Sequence, residues 1–172
     1  MLASARRRYL AGERVDVRAI AAELGLGRAT IYRWFGSRDL LLGEVIAREA
    51  EDYFAAVRAR VKGRGAKALL ETFDQINRGL TRATALRRFL EQEREAALRL
   101  LTSSDGVVQP ASVAAIAALI EAEKTYQPPV DAATLAYAIV RLAEAFIYND
   151  AVAGIRGDVE GLRQVEAALL GV

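Results

Sequence analysis

The 172-residue chain contains no cysteine and no histidine. The first absence removes disulfides, thiolate nucleophiles and zinc-thiolate sites. The second removes the usual general base, the proton shuttle and the commonest metal ligand. Catalysis would have to rest on carboxylates, lysine, tyrosine or hydroxyl groups, so an enzyme is disfavoured and no cofactor or metal is expected. Proline is scarce and late: Pro110, Pro128 and Pro129 are the only three, so nothing before residue 110 breaks a helix by removing an N–H. Aromatic residues make up 7% of the chain, and the apolar content is carried by Ala, Leu, Val and Ile, a mixture that suits packed helices better than sheets. A long hydrophobic run is also missing. The most apolar stretch, Ala132 to Tyr148, is interrupted by Arg141 and Glu144 and is short for a membrane span. Arg6, Arg7 and Arg8 are followed by neither an apolar core nor a small-residue cleavage pattern, so no membrane association and a cytoplasmic location are expected.

What is present is 53% hydrophobic residues, enough to bury an ordinary core in an all-α protein. The net charge of +2 hides an uneven distribution. Residues 1–48 hold nine arginines against five carboxylates, whereas residues 49–172 hold fifteen basic and seventeen acidic groups. A small basic head on a slightly acidic body is the pattern expected when only the head meets a polyanion.

Loops must be read from glycine and capping residues. Val17, Ile20, Ala21 and Leu24 recur at helical spacing behind Asp16, a good N-cap, and Gly25 stops the helix. A second short helix covers Arg28 to Phe35, with Ile31 and Phe35 on its inner face, and ends at Gly36. Ser37 caps a long helix to about Val61, and Lys62 to Gly65 breaks it. The domain division follows: residues 1–48 as head and 49–172 as body, with the long helix shared. Further helices are expected through Leu69, Phe73, Ile76 and Leu80, through a segment, straight or bent, from Leu86 to Leu101, and through Val113 to Ile120 after a loop from Ser103 to Gln109. The last of these is stopped at Gln127-Pro128-Pro129. Two more run from Ala132 to about Ala153 and from Asp158 onward, the latter with Leu162, Val165 and Leu169 as its apolar side.

The segment Val17 to Leu41 has the parts of a helix-turn-helix. Ala21 is small enough for close helix crossing, Gly25 supplies the tight turn, and Leu26 fills the angle. Arg28, Ala29, Thr30, Tyr32 and Arg33 then project from the outer face of the second helix, where side chains near the helix start reach base edges in a major groove. Arg33 suits a bidentate grip on guanine, and Thr30 suits a base edge or a thymine methyl. Tyr32 and Trp34 suit phosphate donation, Arg38 sits at a helix start that favours anions, and Arg28 fits either role. The bland alternative is a helical hairpin with Trp34 and Phe35 in its core and solvated arginines; the coincidence of cap, turn glycine, anchored face and aromatic-basic outer face favours DNA.

From Val17 through Gly25, Tyr32-Arg-Trp-Phe and Gly36-Ser-Arg to Leu41, this stretch closely resembles the DNA-binding head of the TetR family of transcriptional regulators. The resemblance covers about residues 14–48. It implies a three-helix head, phosphate contacts from Tyr32 and Arg38, a double-stranded DNA operator, and a helical body that takes a small apolar effector and forms a homodimer through its last two helices. One departure is the first helix, for which only Met1 to Ala11 precede Gly12. The strings GERVDVRAIAAELGLGRATIYRWFGSRDLL and RLAEAFIYND are similar to a subgroup concerned with quorum-sensing lactone degradation.

In the body, Phe73, Ile76, Asn77, Phe89, Leu100, Ile116, Ile120, Tyr137, Arg141 and Glu144 are candidate ligand contacts, although Phe and Leu at helical spacing read equally as ordinary core. Arg141 and Glu144, three apart on one helix, either orient a polar ligand group or form a structural ion pair. Glu91, Glu93 and Glu95 do not share a helical face and make a poor metal or acid–base site, and Gly63 to Lys67 lacks the spacing of a phosphate-binding loop. The function expected is a ligand-responsive DNA-binding regulator, a repressor released from a palindromic operator by a small apolar effector. The alternative is a DNA-binding regulator controlled by a protein partner without a small ligand.

Overall fold

A computed structural model describes residues 1–148 and 158–172; within it, the side chains of Arg28, Ile31 and Tyr32 also lie outside the description. Ten helices occur among the described residues: α1 (Leu2–Leu10), α2 (Val17–Glu23), α3 (Arg28–Phe35), α4 (Arg38–Arg60), α5 (Gly65–Arg82), α6 (Thr84–Gln92), α7 (Arg94–Thr102), α8 (Val108–Ala122), α9 (Ala132–Tyr148) and α10 (Val159–Leu170). The expected all-α class is what the chain adopts, with a helix-turn-helix at the N-terminal end and a helical body after it.

The local chemistry explains the head. Asp16 caps α2 by accepting from the Arg18 N–H at 2.7 Å. Gly25 then takes a left-handed φ of 65°, which lets the Leu26 N–H return to the Ala21 carbonyl at 2.9 Å and close the turn. Ser37 accepts from Leu40 N–H at 3.0 Å and starts α4. Val15, Val17, Ile20 and Ala21 bury against Ala5 and Tyr9 of α1 and against Leu41, Leu42, Val45 and Ile46 of α4.

This core does not stop at the head. It continues through Leu86 and Phe89 of α6, Ala97, Leu100 and Leu101 of α7, and Val108 of α8. A second core holds Phe54 and Val57 of α4 together with Leu69, Leu70, Phe73 and Ile76 of α5, Ile116 and Ile120 of α8, and Leu135, Ala136, Ile139 and Val140 of α9. The 23-residue α4, about 35 Å long at the standard helical rise, therefore places its first half in one core and its second half in the other.

Several boundaries differ from the sequence expectation. The segment from Leu86 to Leu101 is two helices that meet at Glu93, whose φ of −137° and ψ of 47° are not helical. The loop after α7 is shorter than expected, because α8 begins at Val108 and accommodates Pro110 in its first turn, where a missing N–H has no helical partner to lose. At its other end α8 stops at Ala122, before the prolines. There the Glu123 carboxylate accepts from the Thr125 hydroxyl at 2.6 Å and from Arg58 Nη2 at 3.0 Å, and so fixes a turn. Asp131 caps α9 through the Thr134 N–H at 2.9 Å, and Asp158 caps α10 through the Gly161 N–H at 2.8 Å. The expected continuation of α9 to Ala153 lies outside the described residues. The buried stripe of α10 is Leu162, Glu166 and Leu170, so the expected face through Val165 and Leu169 is rotated: Val165 is exposed and Leu169 half-buried.

Candidate DNA-reading head and body cavity

On α3, Ala29, Arg33 and Trp34 are exposed, Trp34 with 58% of its surface open, and Thr30 is half-buried. Phe35 packs against the head core, so this helix is held from inside and presents its other side outward. The Trp34 indole is thus open to contact from outside the chain. Arg33 pairs with none of the described carboxylates. Arg28 and Tyr32 have side chains outside the described set. The arginines of α1 are engaged elsewhere: Arg6 pairs with Glu49, Arg7 with Glu23, and Arg8 with Glu23 at 3.3 Å. Ser4 Oγ also donates to Glu23 at 2.7 Å, and these bonds together hold the Glu23 carboxyl below its usual range.

Arg38 is placed differently from the other candidates. Its side chain is 20% exposed; Nε donates to the Val15 carbonyl at 2.7 Å and Nη2 to Glu93 at 2.6 Å. The guanidinium thus ties the approach to α2 to the α6–α7 junction. It has donors left after these two bonds, so a phosphate contact remains open to it. Nothing in the sequence pattern marks Glu93 as its partner, since the two lie 55 positions apart.

A partly open cavity of about 300 Å³ lies between α1, α4, α5, α6, α7, α8, α9 and α10. Of the ten sequence candidates, Phe73, Ile76, Asn77, Ile116 and Glu144 line it. Phe89, Leu100 and Ile120 are buried but do not: Phe89 meets Tyr9 edge-on at 6.4 Å in the core that includes the head, Leu100 belongs to the same core, and Ile120 to the second one. Tyr137 is 50% exposed on the outer side of α9, with the Arg141 guanidinium 5.9 Å from its ring centre. Arg141 also stays outside the wall. It donates to the Thr102 carbonyl at 2.9 Å and to Glu144 at 2.8 Å, so the pair is formed and only Glu144 reaches the cavity.

Sequence reasoning missed several of the lining groups. Tyr9 and Leu10 of α1 line the cavity, as do Glu49 and Tyr53 of α4, Ser112 of α8, Tyr148 of α9 and Glu166 of α10. Gly79 admits Tyr53: a Cβ there would stand 1.6 Å from the Tyr53 hydroxyl, which donates to the Gln75 carbonyl at 3.1 Å. Glu166 is fully buried and accepts from Asn77 Nδ2 at 2.9 Å. One signal for it was available, a carboxylate spaced four residues from both Leu162 and Leu170. Burial pushes the carboxyls of Glu166 and Glu144 up to about 7 each, the first opposed by the Asn77 bond and the second by Arg141. Burial likewise pushes the Tyr9 phenol up to about 12 and raises that of Tyr148. The cavity is thus an apolar space with a few polar groups converging on it, the general form of a small-molecule site.

Two family models match the chain. Residues 13–45 match the model described as bacterial regulatory proteins, tetR family, and residues 64–171 match tetracyclin repressor-like, C-terminal domain. The chain is also similar to a solved structure, that of the transcriptional repressor QsdR of R. erythropolis from the TetR family. The TM-score is 0.92 at 28% identity, over 99% of this chain and 92% of that chain. No curated protein matches the sequence.

Proposed function

Since the chain belongs to the TetR family and is accordingly a DNA-binding regulator of the helix-turn-helix type, we propose that it is a repressor released from its operator by a small, largely apolar effector. Residues 1–48 act as the reading head and residues 49–172 as the effector-binding and dimerising body. Thr30 and Arg33 read base edges, with Arg28 in reach of base or phosphate and Ala29 allowing close approach; Tyr32, Trp34 and Arg38 hold the backbone. Phe73, Ile76, Asn77, Ile116 and Glu144 touch the effector.

One observation carries the reading: the cavity wall includes Tyr9 and Leu10 of α1, so the head itself forms part of the effector site. A ligand there touches a head helix directly and needs no relay to bias its position. Arg88 of α6 donates to the Ala11 carbonyl at 3.0 Å, just past the end of α1, and α6 contributes Leu86 to the cavity, which gives a second route to the same helix. An effector that prefers one head position shifts the population by its differential affinity for the two positions.

As in the family, the working unit is a homodimer, for which Tyr137 of α9 and Val165 of α10 supply exposed apolar surface on the last two helices. Two reading helices in successive major grooves then sit about 34–36 Å apart on a near-palindromic site. The partner-controlled alternative would need no apolar cavity in the body, so the cavity favours the effector reading. The test selects bound sequences from random duplexes at low ionic strength and measures sedimentation alongside. A palindromic preference and a dimer are expected. A protein that binds every duplex alike, or that sediments as a monomer at micromolar concentration, would reject the proposal.

No described helix is long and apolar enough to cross a membrane.

A further inference from the structure

The cavity wall is one-sided in charge. Among the described residues that line it are three carboxylates, Glu49, Glu144 and Glu166, and no lysine or arginine. Two of the three have a cation bonded to them from outside the wall: Glu49 pairs with Arg6, and Glu144 accepts from Arg141 Nη1 at 2.8 Å. Glu166 differs. Its one hydrogen bond is from the neutral Asn77 amide at 2.9 Å, although it is fully buried. Its other oxygen, Oε2, is buried without a partner, and so is Oε1 of Glu144. Buried acceptors are normally satisfied, so two orphaned carboxyl oxygens on one cavity wall ask for a donor that the chain itself does not provide.

We infer that the effector is an apolar molecule bearing an N–H donor, as a protonated amine or a neutral amide does, with Glu166 as the group that receives it and Glu144 as a second acceptor. The inference rests on the reading of the cavity as the effector site. An N–H group satisfies the orphaned oxygens, and the surrounding Phe73, Ile76, Ile116 and Ile139 take the hydrocarbon. Arg163, three residues before Glu166 on α10, acts on it only through charge and pairs with Glu71 at 3.5 Å and Asp74 at 3.4 Å, so a cationic head would supply the bonded countercharge that Glu166 lacks. A carboxylate head would meet three acids and no base in the wall, so the same residues select against acids. Because the carboxyl of Glu166 sits at about 7, its acceptor form is accessible near neutral pH at little cost.

The experiment uses the full-length protein and three probes of one chain length: octylamine, octanamide and octanoate. Thermal shift and calorimetry are run on wild type, Glu166→Gln and Glu144→Gln. We expect octylamine, octanamide or both to stabilise wild type and octanoate to do so least. Octylamine acting alone assigns the donor to a cation; octanamide acting equally assigns it to a neutral N–H. Affinity for the effective probe falls about tenfold or more in Glu166→Gln, in line with loss of a charged hydrogen-bond partner. Gln keeps the size of Glu and a carbonyl for Asn77, and the unliganded melt reports whether the variant folds; if it does not, Glu144→Gln carries the comparison. Octanoate binding as tightly as the N–H probes, or N–H probes binding both variants as tightly as wild type, overturns the inference while leaving the cavity as a ligand site. No shift with any probe overturns both.

Discussion

The contact of Arg38 with Val15 and Glu93 permits a prediction that separates a structural role from a DNA-binding one. Arg38→Ala removes a 2.7 Å bond to the Val15 carbonyl and a 2.6 Å bond to Glu93. It leaves the Glu93 carboxylate, whose side chain is only 14% exposed, with the more distant Arg14 at 3.6 Å. Hydrogen bonds with one charged partner contribute about 1.5–3 kcal/mol each, and partial exposure discounts the pair, so a loss of about 3 kcal/mol is expected. For a chain of this size that corresponds to a melting point about 6–12 °C lower. Glu93→Gln keeps a neutral acceptor for Arg38 and should cost only about 1 kcal/mol. Both are read by circular-dichroism melts at one protein concentration, since dimerisation makes melting depend on it. Operator binding across a salt series is the second readout. If Arg38 also grips a phosphate, the slope of log affinity against log salt falls by about 1 for each site it contacts, and Glu93→Gln leaves that slope alone. An Arg38→Ala protein that melts with wild type would refute the structural argument, whatever its effect on DNA.

Three other changes probe the reading heads, the buried acids and the seat of Tyr53. Arg33→Ala should flatten base preference at one position of the operator by about 1–3 kcal/mol in a binding-site selection; equal loss across all sequences would mean that Arg33 grips only the backbone. Glu166 is raised to about 7 in the folded state, so the native protein holds a proton that the unfolded chain releases at its ordinary carboxyl value of 4.5. Its contribution is therefore greatest at low pH and is lost as pH rises from about 4.5 through about 7, by at most about 3 kcal/mol. Urea melts should show Glu166→Gln gaining on wild type between pH 5 and pH 8, and parallel pH profiles would contradict the burial argument. Gly79→Ala would place a Cβ 1.6 Å from the Tyr53 hydroxyl and should cost about 1–3 kcal/mol as overpacking, with Tyr53 displaced into the cavity. An unchanged melting point would mean that Tyr53 does not sit there.

The head was legible in the sequence because its determinants are local. Asp16, Gly25, Gly36 and Ser37 act within a few residues of themselves, and each performs the capping or turning expected of it. The cavity was only half legible. Periodicity says that a side chain faces inward but not which of two cores it enters, so Phe89, Leu100 and Ile120 were as plausible as Phe73, Ile76 and Ile116. Tyr137 follows the fully buried Ala136 and points away from it by about 100° around the helix, which leaves it outside. Glu166 was hidden by a phase choice: taking Leu162, Val165 and Leu169 as the stripe of α10 puts position 166 at its edge, whereas Leu162 and Leu170 put it at the centre. Arg38 was illegible for another reason. Its partners are a main-chain carbonyl 23 positions away and a carboxylate 55 away, and only the packed fold brings them together.

The attachments of the head bear on how far an effector can move it. Arg38 of the head reaches Glu93 at the α6–α7 junction, Arg88 of α6 reaches the Ala11 carbonyl, and Gly12, with φ of 71°, leaves room for Arg88 where a Cβ would lie 2.4 Å from its Cδ. These bonds act beside the apolar core that the head shares with Leu86 and Phe89 of α6, Leu100 and Leu101 of α7 and Val108 of α8. With about 2 kcal/mol for the Arg38–Glu93 bond and about 1 kcal/mol for the exposed Arg88 bond, these two polar contacts contribute about 3 kcal/mol. Inverting a two-state population from one in a hundred to ninety-nine in a hundred needs a ligand preference of about 5.5 kcal/mol. The restraint is of the same order as what one well-seated small molecule can supply. The apolar core shared with α6, α7 and α8 adds to this polar restraint and sets the resting position that an effector changes.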